Sequence, residues 1–207
     1  MIPKLTRIFT LTPVEQGLVN ALHPYNGKSW KDNSIADVKD EILRQLLSFQ
    51  NNNCCYCGLK VNETGRGELD HILKKGGPKR PAYVQYVFTP HNLAVSCQYC
   101  NSSSKKGQED VIDIYDAVNY SGCTFTIVHP YFSDPGLHYR WSRGPLRILI
   151  TALSNEGRNS IRIFDLDKEP QTTARAKQAS FEQKQRRYHF PNAVKDRIKA
   201  ILLFRRN

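Results

Sequence analysis

Two C-x-x-C pairs, Cys54 with Cys57 and Cys97 with Cys100, constrain this chain more than any other feature. Zinc takes about four thiolate or imidazole ligands in a tetrahedron, and one tight C-x-x-C turn supplies two of them. Two such knuckles make a closed four-cysteine set. Between Cys57 and Cys97 lie 39 residues, 58–96, whereas a simple zinc ribbon separates its pairs by about 15 to 20. The spacing therefore implies that something functional is held between the knuckles. Free cysteine also packs as a small hydrophobe, but packing alone does not explain a repeated ligand spacing. Cys55 could compete as a ligand, although only Cys54 and Cys57 have the paired geometry. Cys55 and Cys123 are read as packing residues.

The rest of the composition narrows the class. A length of 207 residues suffices for a real core in one or two domains. With 30 Lys and Arg against 19 Asp and Glu, the chain carries +11, which favours polyanionic partners without fixing a fold. The excess is concentrated late: from Gln171 onward ten basic residues face Glu182 and Asp196, so that segment holds +8. The first 13 residues lack a continuous apolar stretch of the signal-peptide kind, and the longest apolar runs are too short for a bilayer. With few cysteines, four of them at metal spacing, a soluble cytoplasmic protein is expected.

Periodicity predicts the elements. Thr12, Pro13 and Glu15 mark a helix start, running to about Leu22 before His23-Pro24 breaks it. Ser34 is expected to cap a second helix with Ile35, Val38, Ile42, Leu43, Leu46 and Phe49 on one face, delivering Cys54 to the metal. A strand is expected over 68–73, a basic turn over 74–81, a second strand over 92–96 and a helix from Gln98 to about Gln108; residues 84–88 remain open between strand and loop. Further on, a helix is expected over 111–118, strands over 123–129, 137–142 and 146–153, and a helix over 159–166. Basic helices split by Pro191 come last, with Ala193, Val194, Ile198, Ile201, Leu202 and Phe204 forming an apolar face. The basic segment from Arg175 to Arg206 is expected to track a nucleic-acid backbone or dock a partner.

The stretch between the knuckles contains Asp70-His71, His91-Asn92-Leu93 and Cys100-Asn101. Framed by the two cysteine pairs, these residues resemble the HNH endonuclease family over about a quarter of the chain. The later succession of His129-Pro130, Asp134-Pro135 and an isoleucine-containing run ending in Leu166-Asp167 is similar, more loosely, to defence-associated HNH proteins of the Septu and retron type. The resemblance implies an α+β fold. A ββα-metal (HNH) nuclease core with a four-cysteine zinc site would span 53–110, between an N-terminal helical lead-in (1–52) and a C-terminal strand-plus-helix extension (111–207), all packed as one elaborated domain.

It also implies roles. His71 would be the general base of DNA phosphodiester hydrolysis, since neutral imidazole suits that task near pH 7. Asn92 would hold that base and brace its loop. Asp70 and Asn101 would bind a catalytic Mg²⁺ or Mn²⁺, a hard cation that prefers oxygen ligands. Lys74, Lys75, Lys105 and Lys106 are candidate phosphate contacts, and Ser104 stands where the family usually has lysine. Glu68 shares the strand face of Asp70, and His91 is not counted as catalytic. Successive strand residues point to opposite faces, so Asp70 and His71 can share a cleft only if the strand ends or bulges there. The implied partners are DNA and an ATPase-type protein. The alternative is a non-catalytic zinc protein that binds nucleic acid or serves as a structural subunit.

Overall fold

The computed structural model describes residues 2–61, 66–77, 80–144 and 146–187, together with 193, 194, 196, 197 and 200. Helix α1, Pro13–Asn20, starts as its sequence predicts. The Thr12 hydroxyl accepts from the Glu15 backbone, the Glu15 carboxylate accepts from the Thr12 N–H, and Pro13 occupies the first turn. Helix α2, Ala36–Phe49, is entered differently from expectation. Asp32, rather than Ser34, caps a short 3-10 turn at Asn33–Ile35 by accepting from the Ser34 N–H at 2.9 Å, and α2 continues from that turn. Val38, Ile42 and Leu46 are buried along α2, each contributing about 1.5 to 3 kcal/mol of transfer free energy.

The end of α2 reaches the centre of the molecule through Gln50. Its buried side-chain amide donates to the Val95 carbonyl and accepts from the Val95 N–H, both at 2.8 Å. Gln50 thus pairs with that residue as a neighbouring strand would. Strand β1, Gly67–His71, and strand β4, Leu93–Cys97, form the central antiparallel pair, in register from Gly67 opposite Cys97 to His71 opposite Leu93. Between them lie the small hairpin of β2, Lys75–Gly77, and β3, Arg80–Ala82. Residues 84–86 and 90–92, on the way to β4, are 3-10 turns.

Helix α3 after β4 covers only Gln98–Asn101, and the chain returns to a 3-10 turn at Lys106–Gln108. The longer helix expected here is absent because residues 102–105 are three serines and a lysine; the Ser102 hydroxyl bonds the Tyr99 carbonyl and the Ser104 hydroxyl instead. The expected helix over 111–118 and strand over 123–129 are likewise replaced by irregular chain with one bridge, Ile112 to Phe125. Asp113 and Asp116 accept from the Thr124 hydroxyl and from backbone N–H groups, stabilising turns rather than a helix.

Helix α4, Pro135–His138, precedes the hairpin of β5, Tyr139–Trp141, and β6, Ile150–Ala152. Ser154 caps α5, Asn155–Phe164, which begins earlier than predicted and ends on Asp165 in a left-handed conformation. Helix α6, Glu169–Arg187, follows. One continuous apolar cluster runs from Ile2 to Leu166. The fold is therefore α+β, with small antiparallel sheets among helices. Of the expected last apolar face, Ala193 and Val194 are helical and exposed, while Ile198, Ile201, Leu202 and Phe204 lie outside the described residues, as do the basic turn's Pro78 and Lys79.

Candidate metal centre and buried histidine

The four knuckle cysteines meet. Their Sγ atoms all lie within 4.8 Å of one another, every one is buried, and Cys57 and Cys97 stand 3.9 Å apart. Zinc–sulfur bonds of roughly 2.3 Å in a tetrahedron require sulfur separations of about 3.8 Å, so the donors fit a zinc ion. The first knuckle is closed by backbone bonds from Gly58 to Cys54 and from Cys54 to Leu59, and Gly58 takes a positive φ of 73° at the turn. The second is the end of β4 running into α3. Cys55 is buried outside the set, its N–H on the Val95 carbonyl, and the Cys123 thiol packs against the backbone of Asp116.

Asp70 and His71 leave β1 on opposite faces, because the β1–β4 register runs without a bulge through His71. Asp70 is 5% exposed and both of its oxygens are engaged: one accepts from the Tyr56 hydroxyl at 2.5 Å, the other from the Lys106 ammonium at 2.9 Å. Lys106, expected to reach a phosphate, is itself only 2% exposed and also donates to the His71 carbonyl at 2.6 Å. This buried ion pair ties the 3-10 turn after α3 to β1.

The His71 imidazole lies edge-on to Trp30, ring centroids 4.4 Å apart. Its Nε2 is 3.1 Å from the Val87 carbonyl. A carbonyl only accepts, so Nε2 carries the proton and Nδ1 keeps its lone pair. Nδ1 faces the Lys75 ammonium at 3.4 Å. Burial, and then the charge of Lys75, hold the imidazole well below its ordinary pKa, so the ring is neutral.

Asn92 is fully buried and braces the loop that follows β1. It accepts from the Leu73 N–H and the Tyr120 hydroxyl and donates to the carbonyls of Leu73 and Tyr86. Its side chain bonds the loop rather than the His71 ring, and reaches His71 indirectly, through Leu73 on the same chain segment and through Tyr86, the neighbour of Val87. Tyr120 is in turn 3.0 Å from His129 Nε2, while His129 Nδ1 accepts from the N–H groups of Tyr131 and Phe132. His91 packs on the rings of Tyr131 and Phe132.

Asn101 donates to Glu68 at 2.9 Å, and Glu68 also pairs with Arg66. With Asp70 occupied by Tyr56 and Lys106, and the Asn101 amide turned to Glu68, the expected pair does not form an open cation site in this arrangement. A cation there would have to displace an ammonium. Of the other candidate phosphate contacts, Lys74 is buried and Lys105 is bonded to Asp165. Lys75 faces the histidine ring, while Lys106 bonds the backbone carbonyl of the same residue. Arg175, the first cation of the expected nucleic-acid-tracking segment, is buried and donates to the carbonyls of Ile148 and Leu166. Sequence reading missed Tyr56, Trp30, Gln50 and the Tyr120–His129 pair. None carries a spacing signal, since each reaches its partner across the tertiary fold.

No family model matches the chain. It is, however, similar to a Septu protein. The match is to the Septu protein PtuB of Bacillus mycoides (strain KBAB4), 29% identical over 154 residues, an alignment covering 68% of this chain and 52% of that protein. The chain thus spans about half the length of that relative. The four-cysteine cluster agrees with the zinc site its sequence predicts, and no described helix is long and apolar enough to cross a membrane.

Proposed function

We propose that the chain is an HNH-type nuclease acting on DNA in an anti-phage defence system, with an ATPase-type protein as its partner. The likeness to a Septu protein supports the defence role, and the HNH resemblance of the residues between the knuckles supports the chemistry. The observation that carries the reading is His71. It is a neutral imidazole with a fixed tautomer, its Nδ1 lone pair turned to a lysine, on a strand paired to one that ends in a zinc ligand.

In this reading His71 Nδ1 takes a proton from water as the water oxygen bonds to phosphorus and the phosphorus–oxygen bond to the leaving group breaks. Lys75 shields Nδ1 at rest and moves to a phosphate oxygen when substrate binds. The move frees the lone pair and removes the nearby positive charge that lowers its basicity. Zinc, held by Cys54, Cys57, Cys97 and Cys100, supplies folding energy rather than chemistry. Asp70 with Lys106, and Asn92 with Tyr86, act through the backbone as positioning residues.

A zinc-braced, non-catalytic subunit is favoured by one observation, the capture of Asp70 by Lys106. Plasmid cleavage with and without Mg²⁺ decides between the two. Wild-type cleavage that falls at least about 100-fold in His71→Ala, with zinc content and folding intact, is the result expected of the nuclease. Equal activity in the two proteins would refute the role of His71, and no cleavage by either would favour the binding subunit.

A further inference from the structure

We propose that the β5–β6 hairpin forms a second site on this chain, a cradle for the backbone phosphates of duplex DNA. The proposal rests on the nuclease reading for the identity of the polyanion. A cavity of about 490 Å³ opens against the hairpin, lined by Arg140, Arg143 and Arg147 with Tyr139, Trp141 and Ser142, and no carboxylate among the described residues lines it. Its lining includes neither His71 nor any zinc ligand.

Three guanidinium groups converge within eight residues of sequence. Arg140 and Arg143 are exposed, and neither side chain has an acidic partner among the described residues. Arg140 and Arg143 set like charges beside one concavity, which favours an entering anion, and the planar guanidinium fork matches phosphate oxygens in pairs. The loop geometry is unusual in the same place. Arg147 adopts a left-handed φ of 46°, and Gly144 a φ of 110°. Such backbone persists where the surroundings hold it.

The surroundings are supplied by Arg175 of α6, whose Nη1 donates to the Ile148 carbonyl at 2.6 Å and whose guanidinium lies 4.9 Å from the centre of the Trp141 ring. Across the hairpin mouth, Ser142 N–H donates to the Leu149 carbonyl at 2.8 Å and the Ser142 hydroxyl accepts from the Leu149 N–H. One buried arginine therefore fixes the backbone that presents the three lining ones. That fixed presentation lowers the ordering cost of binding. An open, cationic, acid-free concavity suits a passing phosphodiester backbone, which needs charge and contour rather than enclosure.

The test is fluorescence anisotropy of a labelled duplex with the full chain and with an Arg140→Ala/Arg143→Ala variant. Salt is varied between about 50 and 200 mM, without added divalent cation, so that binding is read without cleavage. Each lost phosphate contact lowers the slope of log affinity against log salt by about 0.9. The double variant should therefore lose roughly 1.8 from the slope while keeping wild-type zinc content and thermal midpoint. An RNA duplex of the same sequence shows whether the cradle favours DNA or reads phosphodiester alone, and equal or tighter RNA binding overturns the DNA assignment. An unchanged salt slope overturns the site, as does hairpin-dependent binding of an acidic peptide with none of the duplex. His71-dependent cleavage with an unchanged slope would defeat this inference alone, and a changed slope without any such cleavage would defeat the nuclease reading alone.

Discussion

Replacing Lys106 by methionine removes the ammonium from beside Asp70 while keeping much of the side-chain volume. At 2.9 Å and an effective dielectric of about 20, the pair attracts by roughly 6 kcal/mol, but taking both charges out of water offsets most of that gain. The single substitution has no such compensation. It leaves a carboxylate that is 5% exposed with only the Tyr56 hydroxyl as a partner, and it strips one bond from the His71 carbonyl. Breaking a buried pair in this way costs about 3 to 5 kcal/mol, a large share of the roughly 5 to 15 kcal/mol that holds a domain together. Asp70→Asn should lose a comparable amount, and the double variant little more than either single one. Urea unfolding of all four proteins at saturating zinc gives the cycle, with an expected coupling of about 2 kcal/mol or more. A loss below about 1 kcal/mol in Lys106→Met, or additive losses in the double variant, would show that the ion pair does not fasten β1 to the turn after α3.

Cys97→Ser should abolish stoichiometric zinc binding and lower the thermal midpoint, because binding energy at such a site is also folding energy; metal analysis and a melting curve check both, and retention of either refutes the tetrad. Asn92→Ala strands the buried carbonyl and N–H of Leu73, at about 1 to 3 kcal/mol each before relaxation, so denaturant unfolding should show a loss of at least about 2 kcal/mol, and a smaller one would remove Asn92 as the brace of the loop. His129 is held down to about 3 by burial, with His91 nearby. Unfolded, it titrates near about 6.5. The unfolded chain therefore binds the extra proton below about pH 6.5, and the stability linked to this group, fully present above that pH, is lost on acidification toward about pH 3. Between about pH 5.5 and 4, His129→Gln should reduce the slope of unfolding free energy against pH by about 1.4 kcal/mol per unit; an unchanged slope would show that His129 takes up its proton in the folded state.

The sequence alone determined what depends on short-range covalent spacing. Two C-x-x-C turns can hardly avoid presenting paired thiols, and Thr12 with Pro13 and Glu15 starts a helix wherever it stands, because each such group satisfies partners three or four residues away. β1 and β4 were legible for a related reason: Asp70, His71 and the residues from Leu93 to Cys97 carry a strong local pattern. The destinations of the long polar side chains were decided only by tertiary structure. Lys106 looked like a surface cation, yet the fold turns it inward, since its ammonium can satisfy at once a buried carboxylate and a strand carbonyl some 35 residues away in sequence. Arg175 follows the same logic, counted as tail charge but used inside to hold a loop. The helix expected after Cys100 failed because serine hydroxyls compete locally for the backbone. Local spacing specifies which atoms can bind. Burial decides which of them must, because a polar group withdrawn from water has to find its partner wherever the fold brings one within reach.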